Sequence, residues 1–150
     1  MKLLEYDFEH VCNIVPVWGS DGFMIKFMPQ SRYRNARNLP LNKYGEGPFC
    51  KFKIPDRFLV CGVYALTADS DVRYVGECVN LSKRFNIGYG NISPKNCFKG
   101  GQETNCRLNN LIYAAILDGA LVALWFFPTV EYKSIEITLR QVLRPSWNLI

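Results

Sequence analysis

From Leu59 to Phe85 the chain reads LVCGVYALTADSDVRYVGECVNLSKRF, and the reading of this stretch decides the fold. Gly62-Val63-Tyr64 is mirrored by Tyr74-Val75-Gly76 about the polar run Thr67-Ala68-Asp69-Ser70-Asp71. Leu59 to Leu66 and Val72 to Glu77 are rich in strand formers and are separated by turn formers, which predicts a β-hairpin. With TADSD as a five-residue loop, Leu66 faces Val72, Tyr64 faces Tyr74 and Gly62 faces Gly76. Side chains alternate with period two, so all six share one face. Opposed Cβ atoms stand about 5 Å apart, which makes the phenols neighbours. The glycines would leave bare surface beside them, open to the approach of another backbone. The alternative is an aromatic pair that only packs.

The pattern continues on both sides of the hairpin. Asn80 can cap a short helix through Phe85, and Gly88 to Glu103 reads as loop. Thr104 or Asn105 can cap a helix to about Asp118, ended by Gly119. Ala120 to Phe127 is an apolar strand ended by Pro128, and Tyr132 to Leu143 is a helix that stops before Pro145. Before the hairpin, Phe23 to Met28 predicts a strand. QSRYRNARNLPLNKYGEGP, from Gln30, is too rich in proline, glycine and asparagine for a helix and reads as an ordered arm or long loop. These elements predict an α+β domain, with residues 1–57 as an N-terminal β/loop extension and 58–150 as the core.

A chain of 150 residues with 49% hydrophobic content can bury a core without disulfides. Cys12, Cys50, Cys61, Cys78, Cys97 and Cys106 form no CxxC pair, and His10 is the sole histidine, which argues against zinc and for reduced thiols in the cytoplasm. MKLLEYDFEHVC has no long apolar run, so no secretory leader is expected. Leu111 to Phe127 is apolar, but Asp118-Gly119 divides it into pieces too short for a bilayer. From Gly22 to Val60, eight basic residues stand against Glu46 and Asp56. That net +6 leaves −1 for the rest of a chain of net +5, so a polyanionic partner is expected.

Three further residues bear on the two phenols. Arg84 lies about one turn into the helix capped by Asn80, where helix-start amides and a guanidinium make an anion site. Glu136 is a carboxylate among Ile135, Ile137, Leu139 and Val142, and it needs a cation. Arg140, one turn away, would supply that cation in a purely structural reading. Asn148 offers an amide beside Trp147.

Gly62-Val63-Tyr64, Tyr74-Val75-Gly76, Arg84, Glu136 and Pro145-Ser146-Trp147-Asn148 together resemble the GIY-YIG nuclease superfamily, in the family's order, from Leu59 onward. Valine stands for the commoner isoleucine at positions 63 and 75. Where some relatives carry a histidine, this chain has Gly88. The resemblance implies a small, mainly antiparallel three-stranded core sheet flanked by helices, and hydrolysis of phosphodiester bonds in DNA with Mg²⁺ or Mn²⁺. It assigns Glu136 to the metal, Arg84 to the charge developing on phosphate, Tyr64 to the base, Tyr74 to orienting water or phosphate, and Asn148 to holding the chain end near the site. One carboxylate suffices for an ion that keeps several waters. A phenol acts as base near neutrality only beside cations, here Arg84, Lys83 and the metal; the metal alone could also deprotonate the water.

Candidate DNA contacts are Arg32, Arg34, Arg37 and Lys43 in the arm, Lys83 beside Arg84, and Lys95, Lys99, Gln102, Asn105 and Arg107 in and after the loop. Small size suggests a restriction-type endonuclease on duplex DNA, as a homodimer if both strands are to be cut. Two rivals remain: a non-catalytic nucleic-acid-binding module on the same fold, and a thiol enzyme or protein-interaction domain.

Overall fold

The computed structural model describes residues 1–149. Its strands are β1 (Lys2–Leu3), β2 (Tyr6–Asp7), β3 (Glu9–Asn13), β4 (Gly62–Ala68), β5 (Asp71–Cys78) and β6 (Val122–Pro128). The helices are α1 (Leu81–Lys83), α2 (Glu103–Leu117) and α3 (Tyr132–Leu143). β1 and β2 form a small antiparallel ribbon, and the main sheet has the order β3-β6-β4-β5, antiparallel throughout. The architecture is α+β, as expected. The three-stranded core β6-β4-β5 gains a fourth strand, β3, from the N-terminal residues.

The hairpin is tighter than its sequence suggests. Asp69 and Ser70 both have positive φ (50° and 74°) and connect Ala68 directly to Asp71, so the loop has two residues rather than five. That turn alone would flip β5 over. A bulge at Arg73 adds one residue back, because Thr67 pairs with Val72 but Leu66 pairs with Tyr74. Tyr64 consequently faces Gly76, and Gly62 faces Cys78. Five of the six expected residues keep their common face. Val72 crosses to the other, where it packs with Val63, Ala65 and Val75.

Contacts divide the chain into two units, and the division does not fall at residue 57. One comprises 1–14, 54–84 and 115–150; the other comprises 15–53 and 85–114. In the first unit, α3 lays Ile135 and Leu139 on the Val63, Ala65 and Val75 face, with Leu3 and Phe8 completing the core. β4 is buried along its whole length. β5 is the sheet edge, and the C-terminal tail covers it. The Trp147 amide donates to the Arg73 carbonyl at 2.7 Å, and the Asn148 side chain bonds both the amide and the carbonyl of Val75 (2.9 and 2.8 Å). An otherwise unpaired edge is thereby satisfied.

In the second unit, Phe49, Ile92, Cys97, Phe98 and Cys106 form the core, flanked by Tyr33, Leu39 and Tyr44. The strand expected at Phe23–Met28 does not form; Met24 and Phe27 make only isolated bridges, to Trp18 and Phe49. The arm is ordered by side-chain amides. Asn35 bonds Leu39 in both directions at 2.8 Å, and Asn42 donates to Asn96 and Phe98 carbonyls at 2.6 and 3.3 Å. Asn109, fully buried in α2, holds the amide and carbonyl of Cys50 and the carbonyl of Tyr89.

Candidate active site

The mirrored motif builds a stacked arrangement, with no bare patch. The Tyr64 and Tyr74 rings lie 6.1 Å apart, tilted by 30°, as diagonal neighbours on one face. Gly76 is where Tyr64 lies: a Cβ there would stand 2.5 Å from both Cζ and the hydroxyl of Tyr64, and 2.8 Å from Tyr74 Cε1. A Cβ at Gly62 would meet the Phe126 ring at 2.7 Å as well as the Phe127 carbonyl. The expected clearing is thus filled by the chain's own rings. The glycines admit side chains rather than a foreign backbone, and Tyr64 is only 1% exposed.

Arg84 follows α1 at the start of a π-helical turn, Arg84–Tyr89. Asn80 caps this segment as expected, its Oδ1 accepting from the Lys83 amide at 2.8 Å. Arg84 is half-buried, and its charge reaches Cys78, which pairs with Gly62 on the tyrosine face. Burial, with Glu77 adding to it, pushes the Cys78 thiol up to about 12, and Arg84 opposes that rise.

Glu136 lies in α3, 9% exposed, and its Oε1 accepts from Arg140 at 3.1 Å. This is the i,i+4 ion pair of the structural reading. Arg140 also donates to the Leu149 carbonyl at 2.9 Å, joining the acid to the tail that carries Asn148. α3 packs against the Val63, Ala65 and Val75 face, the side of the hairpin opposite the two rings. A groove of about 630 Å³ opens beside the ion pair, lined by Arg140, Gln141, Arg144, Ser146 and Asn148 together with apolar residues of α3 and the tail. A carboxylate is a hard oxygen donor, so Glu136 is chemically suited to a hard cation. No cluster of three or more His, Cys, Asp or Glu residues that could hold a metal occurs among the described residues.

Of the expected DNA contacts, Arg32, Arg34, Arg37, Lys43, Lys83, Lys95, Lys99 and Gln102 are exposed. Asn105 and Arg107 are not: they are 3% and 9% exposed, and the Asn105 amide donates to Gln102 at 2.9 Å. The apolar spacing of α2 could have indicated this, since both flank Cys106 and Leu108 on its inner side. All five expected catalytic residues belong to the first unit. Every expected DNA contact except Lys83 belongs to the second. The second unit holds ten basic residues against three acidic, a net +7; the first holds eight against ten, a net −2.

The most deeply buried thiols are poorly suited to nucleophilic chemistry. Burial pushes the Cys50 and Cys106 thiols up to about 12, which disfavours the thiolate. His10 bonds Asn13 at 3.1 Å and stands edge-on to Trp125. No helix among the described residues is long and apolar enough to cross a membrane.

Among solved structures, the chain is similar to a mutant of bacteriophage T4 EndoII. The identity is 18%, the likeness covers 74% of this chain and 87% of that one, and the TM-score is 0.50. That likeness concerns the fold. No family model and no curated protein matches the chain.

Proposed function

We propose that this chain is a metal-dependent endonuclease of the GIY-YIG type that hydrolyses phosphodiester bonds in duplex DNA, as a small restriction-type enzyme. The observation that carries this reading is the Tyr64–Tyr74 pair, ordered on one hairpin face by Gly76. The fold, shared with a phage endonuclease, supports it. So does a +7 unit suited to phosphates.

In this reading Glu136 would hold Mg²⁺ or Mn²⁺, and the ion when bound would supply charge neutralisation at phosphate. Arg84 complements charge on the non-bridging oxygens. The Tyr64 hydroxyl takes the proton of water, and Tyr74 fixes the tilt of the Tyr64 ring. Asn148 holds β5, and with it Tyr74, against the tail.

Supercoiled plasmid incubated with the chain and Mg²⁺ is expected to be nicked or linearised. Glu136→Ala should abolish this, and Tyr64→Phe should slow it by about 10²–10⁴-fold, the usual contribution of a general base. Intact plasmid of retarded mobility would overturn the catalytic reading.

That outcome would favour a non-catalytic DNA-binding module. Three observations favour it already: Tyr64 is almost wholly enclosed, Arg140 neutralises Glu136, and α3, which carries Glu136, packs on the hairpin face opposite the two rings.

A further inference from the structure

The second unit contains a cavity of about 310 Å³ that the readings above leave unused. Lys26, Arg32 and Lys51 line it together with the Asn91 amide, and no carboxylate does. The apolar part of its wall includes Phe27 and Phe49, which are tied side by side by a pair of backbone hydrogen bonds at 2.8 and 2.9 Å. Those bonds fix the wall in place. The Lys51 ammonium stands 5.6 Å from the centre of the Phe27 ring, so cation and aromatic surface adjoin.

Three cations in a wall that no carboxylate lines strongly favour a polyanionic group, and a phosphate monoester carries a charge of about −1.5 to −2. Aromatic walls favour a flat, partly apolar body attached to it. The volume lies at the lower end of the roughly 300–1,000 Å³ of small-molecule sites, enough for one such unit. We propose that this cavity binds a single phosphorylated nucleotide, with its phosphate toward Lys26, Arg32 and Lys51 and its base against the partly exposed Phe27 ring, which the buried Phe49 backs. The nucleotide has two sources, a free nucleoside monophosphate or the 5′-phosphorylated end of a nucleic-acid strand. The cavity shares Arg32 with the proposed DNA surface, but binding here requires no cleavage.

Titration calorimetry of the full chain without divalent metal tests this with four probes. They are deoxyadenosine 5′-monophosphate, a short single strand bearing a 5′-phosphate, the same strand without it, and inorganic phosphate. The expected result is binding of the free nucleotide, or of the phosphorylated strand alone, weakened about tenfold in Lys26→Gln and in Lys51→Gln. The first case identifies a soluble nucleotide as the occupant, the second a strand end. Inorganic phosphate binding as tightly as the nucleotide, binding unaltered in both variants, or no binding to any probe would each overturn the proposal. Nucleotide binding by a chain that leaves plasmid intact would uphold the cavity and sink the nuclease. Plasmid cleavage by a chain that binds no nucleotide would do the reverse.

Discussion

Gly76 shows how a single missing methyl group organises the candidate site. Tyr64 occupies the space a Cβ would need, and neither the strand backbone nor the fully enclosed ring has room to retreat. Gly76→Ala is expected to destabilise the chain by about 1–3 kcal/mol, the usual cost of overpacking, read as a lower urea midpoint at unchanged slope. It should also turn the Tyr64 ring, so that activity falls further than stability explains. The motif's residue types were legible in the sequence, since a mirrored glycine–tyrosine pair is a local pattern. Their purpose was not, because the identity of what fills a glycine's space depends on the register across the hairpin. The cysteines make a second point at this scale. Cys50, Cys78 and Cys106 are raised from 9.0 to about 12, chiefly by burial, so the folded state binds these protons more tightly than the unfolded chain does. Stability from this source is full below pH 9.0 and is lost as the pH climbs toward about 12. Denaturation midpoints measured across that range should be flat at neutral pH and fall on the alkaline side; a fall that begins at neutral pH would contradict the assignment.

At the scale of elements, the hairpin depends on two compensating irregularities. Asp69 and Ser70 form a left-handed two-residue turn without a glycine, and the bulge at Arg73 restores the facing that such a turn would otherwise reverse. Asp69 has a reason to stay, because its Oδ1 accepts from the Leu121 amide at 2.9 Å. Ser70, at φ 74°, has no such bond among the described residues, so Ser70→Gly should relieve strain and raise stability by about 0.5–1 kcal/mol, measured by thermal or urea unfolding. A loss instead would mean that the added freedom of the unfolded chain outweighs the strain. This pair also explains what could be read beforehand. Helix α3, with a strong periodic pattern and a proline beyond it, was legible to the residue, as was the Asn80 cap. The short turn was not, since neither position carries the glycine that normally signals it. β3 was not either: EHVCN has one buried position and owes its place to β6, a partner more than a hundred residues away.

At the scale of the molecule, charge and candidate chemistry are divided between different stretches of chain. The second unit, at +7, holds the arm and the loop; the first, at −2, holds the tyrosines, Arg84, Glu136 and Asn148. The sequence showed the first half of this division as a basic segment before residue 60. It could not show that Lys95 and Lys99 join the same unit, because that depends on tertiary bonds such as Asn42 to Asn96 and the Lys99 amide to Pro40. If the basic unit is the DNA-binding surface, association is driven by counterion release and weakens steeply with salt, by a slope close to the number of phosphates neutralised. Replacing Arg32, Arg34 and Arg37 with glutamine, singly and together, should then lower affinity for any duplex sequence alike. Each replacement at a true phosphate contact should reduce the log–log salt slope by about 1. All three are exposed on an arm ordered by Asn35 and Asn42, so their loss leaves the packing intact, and unfolding midpoints should not move. The same slope measured for Lys83→Gln separates the two units: a slope reduced there and unaltered in the arm variants would place the DNA on the first unit, against its own net charge.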